Sequence, residues 1–131
     1  MYKLIHPELI NGYFVDLGGN EMVVEIFNML KDEYNEKIVL IEEAIKNNDF
    51  NGIKQLVHPI KSNLNFFIEK KSEFGLMIQD FEDKGANGKE IEDPEMKRIY
   101  ASEMKFDQLL LHFKKKCHET FAEIEHYTKN F

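Results

Sequence analysis

The chain has 131 residues, enough for one domain with a real hydrophobic core. At 43% hydrophobic and 31% charged it reads as globular rather than disordered. The formal net charge of -7 offers no electrostatic footprint for a phosphate backbone, which argues against nucleic acid, and no segment has the apolar length of a membrane span.

In chain order, a short leading helix is expected near Glu8 to Val15, packed across one end of the fold. Gly18-Gly19 reads as a turn and Asn20 as the N-cap of a long helix. Val23, Phe27, Leu30, Tyr34, Ile38, Ile41 and Ile45 step by threes and fours, making one apolar stripe, and Asn47-Asn48 marks its far end. The next helix begins near Asp49, with Ile53, Leu56, Val57, Ile60, Leu64 and Phe67 as its stripe. Ser72 is placed to cap a third helix whose Phe74, Met77, Ile78 and Phe81 face inward. Gly85 reads as its stop and Gly85-Ala86-Asn87-Gly88 as the clearest loop in the chain. Asp93-Pro94 reads as an N-cap followed by proline at the first helical position. One last helix follows, with Ile99, Phe106, Leu110, Phe113, Cys117, Phe121 and Ile124 on one side. Four main helices with short connections predict an all-α, antiparallel up-down-up-down four-helix bundle, one domain over 1–131. The single cysteine forms no internal disulfide and the N-terminus lacks the apolar core of a signal peptide, so a soluble, cytoplasmic protein is expected.

The second main helix carries the candidate chemistry. At 100° per residue with His58 at zero, its apolar stripe falls between about 160° and 260°, nearly opposite the histidine. Lys54, Gln55, Lys61, Ser62 and Asn65 lie within about 60° of it, and Pro59 and Phe66 sit at the edge of the polar sector. The outcome is an exposed histidine in a polar, basic stripe. A neutral imidazole is a good nucleophile toward phosphorus, and histidine is largely neutral near pH 7. Lys61 is one turn on, where an ammonium can meet phosphoryl oxygens. On geometry alone, a surface histidine beside a lysine more often does nothing.

The stretch Leu56-Val57-His58-Pro59-Ile60-Lys61-Ser62-Asn63 resembles the signature of histidine-containing phosphotransfer (HPt) domains. That pattern is a histidine, any residue, an aliphatic residue, lysine, a small residue usually glycine, then often serine. His58, Ile60 and Lys61 match it, and Ser62 is small without being glycine. The long helix before it, Asp49-Phe50 at the family's usual interval, and Leu76-Met77-Ile78-Gln79-Asp80-Phe81-Glu82 after it extend the likeness over most of residues 15 to 125.

The resemblance implies the family's four-helix bundle, with His58 as the phosphorylated residue and Lys61 assisting the phosphoryl group. Ser62 would leave room for the partner, and Gln79 would be a polar neighbour of the histidine. The residues around His58 (Lys54, Gln55, Pro59, Ser62, Asn65 and Phe66) would form the docking surface. It further implies a monomer with no cofactor of its own and no intrinsic kinase activity. The partners would be a receiver domain, which supplies Mg²⁺, and a hybrid histidine kinase. The alternative is a module of the same shape that docks a receiver or kinase without carrying phosphate. A third reading is a structural helical domain with no site.

Pro59 departs from the pattern. A proline inside a helix removes the bond to the Gln55 carbonyl and costs about 3 kcal/mol. Two outcomes are open: a helix that continues through a kink, which the in-phase stripe favours, or a restart with His58 as cap and Pro59 at the first position. Elsewhere, Glu123-Ile-Glu-His126 has the Glu-x-x-His spacing of carboxylate metal bundles but no second copy, so no metal site is expected and these residues read as a solvated helix end.

Overall fold

A computed structural model describes residues 2–131. They form six helices: α1 (Pro7–Phe14), α2 (Asn20–Lys46), α3 (Phe50–Leu64), α4 (Glu73–Gly88), α5 (Pro94–Met104) and α6 (Phe106–Lys129). The described residues contain no strand, and no helix among them is long and apolar enough to cross a membrane.

The apolar stripes become the core. Val23, Phe27, Leu30, Tyr34 and Ile41 of α2, Ile53, Val57, Ile60 and Leu64 of α3, Phe74, Ile78 and Phe81 of α4, and Leu110, Phe113, Cys117 and Ile124 of α6 are all buried. α2 packs against α3 and α6, and α4 packs against α3 and α6. The α2–α6 contacts run antiparallel: Phe27 meets Phe121 at 6.1 Å, whereas Glu42, further along α2, pairs with Lys114. α3 and α4 are also antiparallel, since Phe50 at the start of α3 lies against Gly88 at the end of α4. α1 packs on α2, and its Phe14 lies 5.5 Å from the Phe66 ring just past α3.

Three caps form where side chains can reach free amides. Asp49 accepts from Gly52 N at 3.0 Å, Ser72 from Gly75 N at 3.1 Å, and Asp93 from Met96 N at 3.0 Å with Pro94 following. Asn20 is not the cap of α2; it is the first helical residue, and Gly19 holds the N-cap position. Gly18 and Gly19 have φ of 113° and 63°, left-handed backbone that glycine adopts without strain and other residues rarely do.

Two further boundaries differ from expectation. Gly85-Ala86-Asn87-Gly88 is the last turn of α4, not a loop. Both glycines are buried because neighbouring atoms pass too close for a side chain. A Cβ on Gly85 would lie 2.9 Å from Lys54 N and Phe50 O, and one on Gly88 2.6 Å from the Phe50 ring and 2.7 Å from that of Tyr100. Close approach of α3 thus overrides the glycine stop signal. The final helix is also two helices, broken at Lys105 in the left-handed conformation with φ 54°. On one continuous helix, residues six apart diverge by about 120°. The break lets Tyr100 and Phe106 both reach Phe50, at 5.1 and 5.7 Å, and the Tyr100 hydroxyl donates to Lys84 O at 2.6 Å.

Candidate functional site

α3 runs unbroken through Pro59 from Phe50 to Leu64, with Asp49 as its cap. His58 is therefore an interior helical residue and not a second cap. Val57 and Ile60, on either side of the His58-Pro59 pair, remain fully buried, so the stripe keeps its phase and holds the helix together across the missing amide. The His58 side chain is 60% exposed.

Its ring is nevertheless anchored. Nδ1 lies 2.6 Å from Oε1 of Glu82 on α4. The other carboxylate oxygen of Glu82 accepts from Lys61 Nζ at 2.8 Å, and Lys61 also donates to Gln79 Oε1 at 3.1 Å. Gln79 Nε2 donates to Glu82 at 3.3 Å and to Asp83 at 2.9 Å. Three side chains from two helices, His58, Lys61 and Gln79, thus converge on one carboxylate. Glu82 is largely buried, its side chain 9% exposed. Burial pushes its carboxyl up, but the hydrogen bonds from Lys61 and His58 outweigh this and hold it below its usual 4.5. An ionised carboxylate only accepts, so the ring nitrogen facing it carries the proton. Nε2 is left as the outward end of the imidazole, with no hydrogen-bond partner among the described residues.

The remaining sequence candidates take varied positions. Ser62 is exposed, and its hydroxyl donates back to His58 O at 3.1 Å. Lys61 is more withdrawn than its helical phase suggests, 15% exposed, because Glu82 and Gln79 draw it across the α3–α4 seam. Gln79 joins the cluster through Lys61 and Glu82 and makes no hydrogen bond with the histidine ring. Lys54 and Gln55 lie on the same face but make no side-chain hydrogen bond among the described residues. Asn65 and Phe66, with Tyr13, Lys61, Ser62, Lys70, Leu76 and Gln79, line a depression of ≈ 520 Å³ beside the histidine. Phe66 is partly covered by α1, its ring 5.4 Å from that of Tyr13. Leu76 stays 56% exposed at the margin.

Glu82 is the member that inspection of the sequence missed. Its signal was present: it lies four residues after Ile78 and so shares that side of α4, which makes it a carboxylate at a buried phase. The Glu123–His126 pair is likewise more than a solvated helix end. Glu123 accepts backbone amides from Lys3, Leu4 and Ile5 at 3.2, 2.9 and 3.0 Å, and His126 Nδ1 lies 2.8 Å from the Tyr2 hydroxyl. No group of three or more His, Cys, Asp or Glu among the described residues is arranged to hold a metal ion.

In comparisons with known proteins, the chain matches no family model, no curated protein and no solved structure.

Proposed function

We propose that the chain is a histidine phosphotransfer protein, relaying a phosphoryl group between receiver-domain aspartates through phosphohistidine at His58. The observation that carries this reading is the Glu82 contact at 2.6 Å, which turns an exposed histidine into an oriented nucleophile with Nε2 outward. The ring of antiparallel neighbours formed by α2, α3, α4 and α6 supports the bundle that the HPt resemblance implies.

In the proposed step the Nε2 lone pair attacks the phosphorus of a receiver's aspartyl phosphate. The N–P bond forms, the acyl P–O bond breaks, and the aspartate leaves as a carboxylate. No proton has to leave His58, because the one on Nδ1 stays on the ring facing Glu82. The product ring gains positive charge, which the carboxylate 2.6 Å away stabilises. Lys61 is placed to turn from Glu82 to the arriving phosphoryl oxygens, and Mg²⁺ belongs to the receiver. The reverse step delivers the group to a second receiver. The protein acts in this reading as a cytoplasmic monomer between a hybrid histidine kinase and a receiver.

The test is incubation with a phosphorylated receiver domain. Acid-labile, base-stable label is expected on the wild type and absent from His58→Gln. Label that never appears on the wild type, or appears equally on the variant, ends the proposal. A second reading, docking without phosphate transfer, is favoured by one observation: Lys61 is already engaged by Glu82 and Gln79. Receiver binding that survives His58→Ala, with no phosphohistidine formed, supports that reading instead.

A further inference from the structure

The depression beside His58 differs in charge from the rest of the chain. Its lining includes Lys61 and Lys70 but no Asp or Glu, in a protein of net charge -7. The carboxylates of the adjoining segments are engaged elsewhere. Glu69 lies 3.7 Å from His6 Nε2, Asp80 pairs with Lys84, Asp83 accepts from Gln79, and Glu73 lines a separate groove between α4 and α6. Lys61 is held by Glu82. Lys70 is exposed and pairs with no carboxylate among the described residues.

The backbone that carries Lys70 is fixed. The turn between α3 and α4 closes on Glu69 O, which accepts from Ser72 N at 3.1 Å and from Ser72 Oγ at 2.6 Å. The same turn presses on α4 at Gly75, where a Cβ would lie 2.4 Å from Glu69 O and 2.5 Å from Lys70 O. Only glycine leaves room for that approach, so the ammonium is presented from a rigid base. Beside it the surface is apolar: Tyr13 and Leu76 are exposed and Phe66 is partly so. The Asn65 side chain makes no hydrogen bond among the described residues, which leaves an amide donor in the same depression. Asn65 lies about 10 Å along the helix from His58, within the footprint of a partner that covers the histidine.

We infer that this depression is a specificity pocket for the receiver: it takes an apolar side chain flanked by an Asp or Glu, with Lys70 selecting the acidic partner. The apolar group lies on Leu76, Tyr13 and Phe66, and the carboxylate meets Lys70 and Asn65. A basic partner would meet two lysines and no carboxylate here, with Lys54 a further cation one turn before His58. The inference rests on the reading of His58 as the phosphorylated residue and names the receivers that can reach it.

The experiment measures binding, by fluorescence anisotropy, between the full chain and a receiver domain that labels it, drawn from a purified panel carrying aspartyl phosphate. Lys70→Glu is compared with Lys115→Glu, which makes the same change in net charge at an exposed position on α6. Lys70→Glu is expected to bind roughly 5–20-fold more weakly at about 0.05 M salt and about threefold or less at about 0.5 M, while Lys115→Glu follows the wild type. Leu76→Ala is expected to lose roughly 3–10-fold at both salt concentrations, because an apolar contact is not screened. When the receiver's exposed Asp and Glu residues are changed to Lys one at a time, one product is expected to bind Lys70→Glu better than it binds the wild type. Equal binding by Lys70→Glu and Lys115→Glu, tighter binding by Lys70→Glu, or no rescuing receiver overturns the inference and, with a labelled wild type, leaves the relay standing. Undiminished binding by Leu76→Ala overturns the apolar half and with it the pocket. Self-association of the chain that Lys70→Glu abolishes, read by sedimentation, gives the depression to a second copy instead and also overturns it. A wild type that no receiver labels overturns both this inference and the relay.

Discussion

At the scale of single residues, the chemistry turns on one carboxylate. Glu82 orients His58 and pairs with Lys61, so Glu82→Gln keeps the shape but removes the charge. Charge-assisted hydrogen bonds are worth about 1.5–3 kcal/mol, so phosphorylation of His58 is expected to slow by roughly 10-fold or more, measured as the rate of label transfer from a receiver. The same residue sets a pH dependence. Its folded-state value lies below the usual 4.5, so its contribution to stability is complete above that value and is lost as pH falls through the lower one. Urea unfolding midpoints of the wild type are expected to drop below about pH 4.5, and those of Glu82→Gln to fall less over the same range. Equal slopes for the two proteins would remove Glu82 from this account.

At the scale of elements, the α3–α4 seam decides how the site is assembled. α4 can lie close enough for Glu82 to reach His58 because Gly85 and Gly88 let the backbone and ring atoms of α3 pass. In an isolated helix, Gly→Ala would stabilise by about 1 kcal/mol. In this seam the added methyl at Gly85 meets backbone atoms that cannot rotate away, so Gly85→Ala is expected to destabilise by about 1–3 kcal/mol in chemical denaturation. Pro59→Ala should act in the opposite direction, stabilising by up to about 3 kcal/mol as the Gln55 carbonyl regains its donor. The stripes of α2, α3, α4 and α6 were readable as elements because helical periodicity records which side is buried. The end of α4 was not, because glycine marks both a stop and a close approach, and only the neighbouring helix distinguishes them. The break at Lys105 was equally silent: neither lysine nor its neighbours signal a turn, and the aromatic cluster of Phe50, Tyr100 and Phe106 imposes it.

At the scale of the molecule, the two ends of the chain hold each other. The segment before α1 lays three consecutive amides on Glu123 of α6, and the Tyr127 hydroxyl donates to Asn11 at 3.2 Å. These contacts keep α1 over Phe66, at one wall of the depression beside His58. Glu123→Ala is expected to cost about 1.5–3 kcal/mol and to raise amide hydrogen exchange through residues 3–14 more than in α3. Uniform exchange across the molecule would show that the latch has no local role.

The sequence by itself determined that the chain is helical, which side of each long helix is buried, that Ser72 and Asp93 are caps, and that His58 faces outward beside a lysine. These are local properties, set by periodicity and by side chains that reach amides two or three residues away. The tertiary structure alone decided that Glu82, 24 residues from His58, takes its Nδ1, that Lys61 is drawn across the seam, and that a glycine pair prolongs α4. Those outcomes depend on the register and separation of two packed helices, which no single helix encodes.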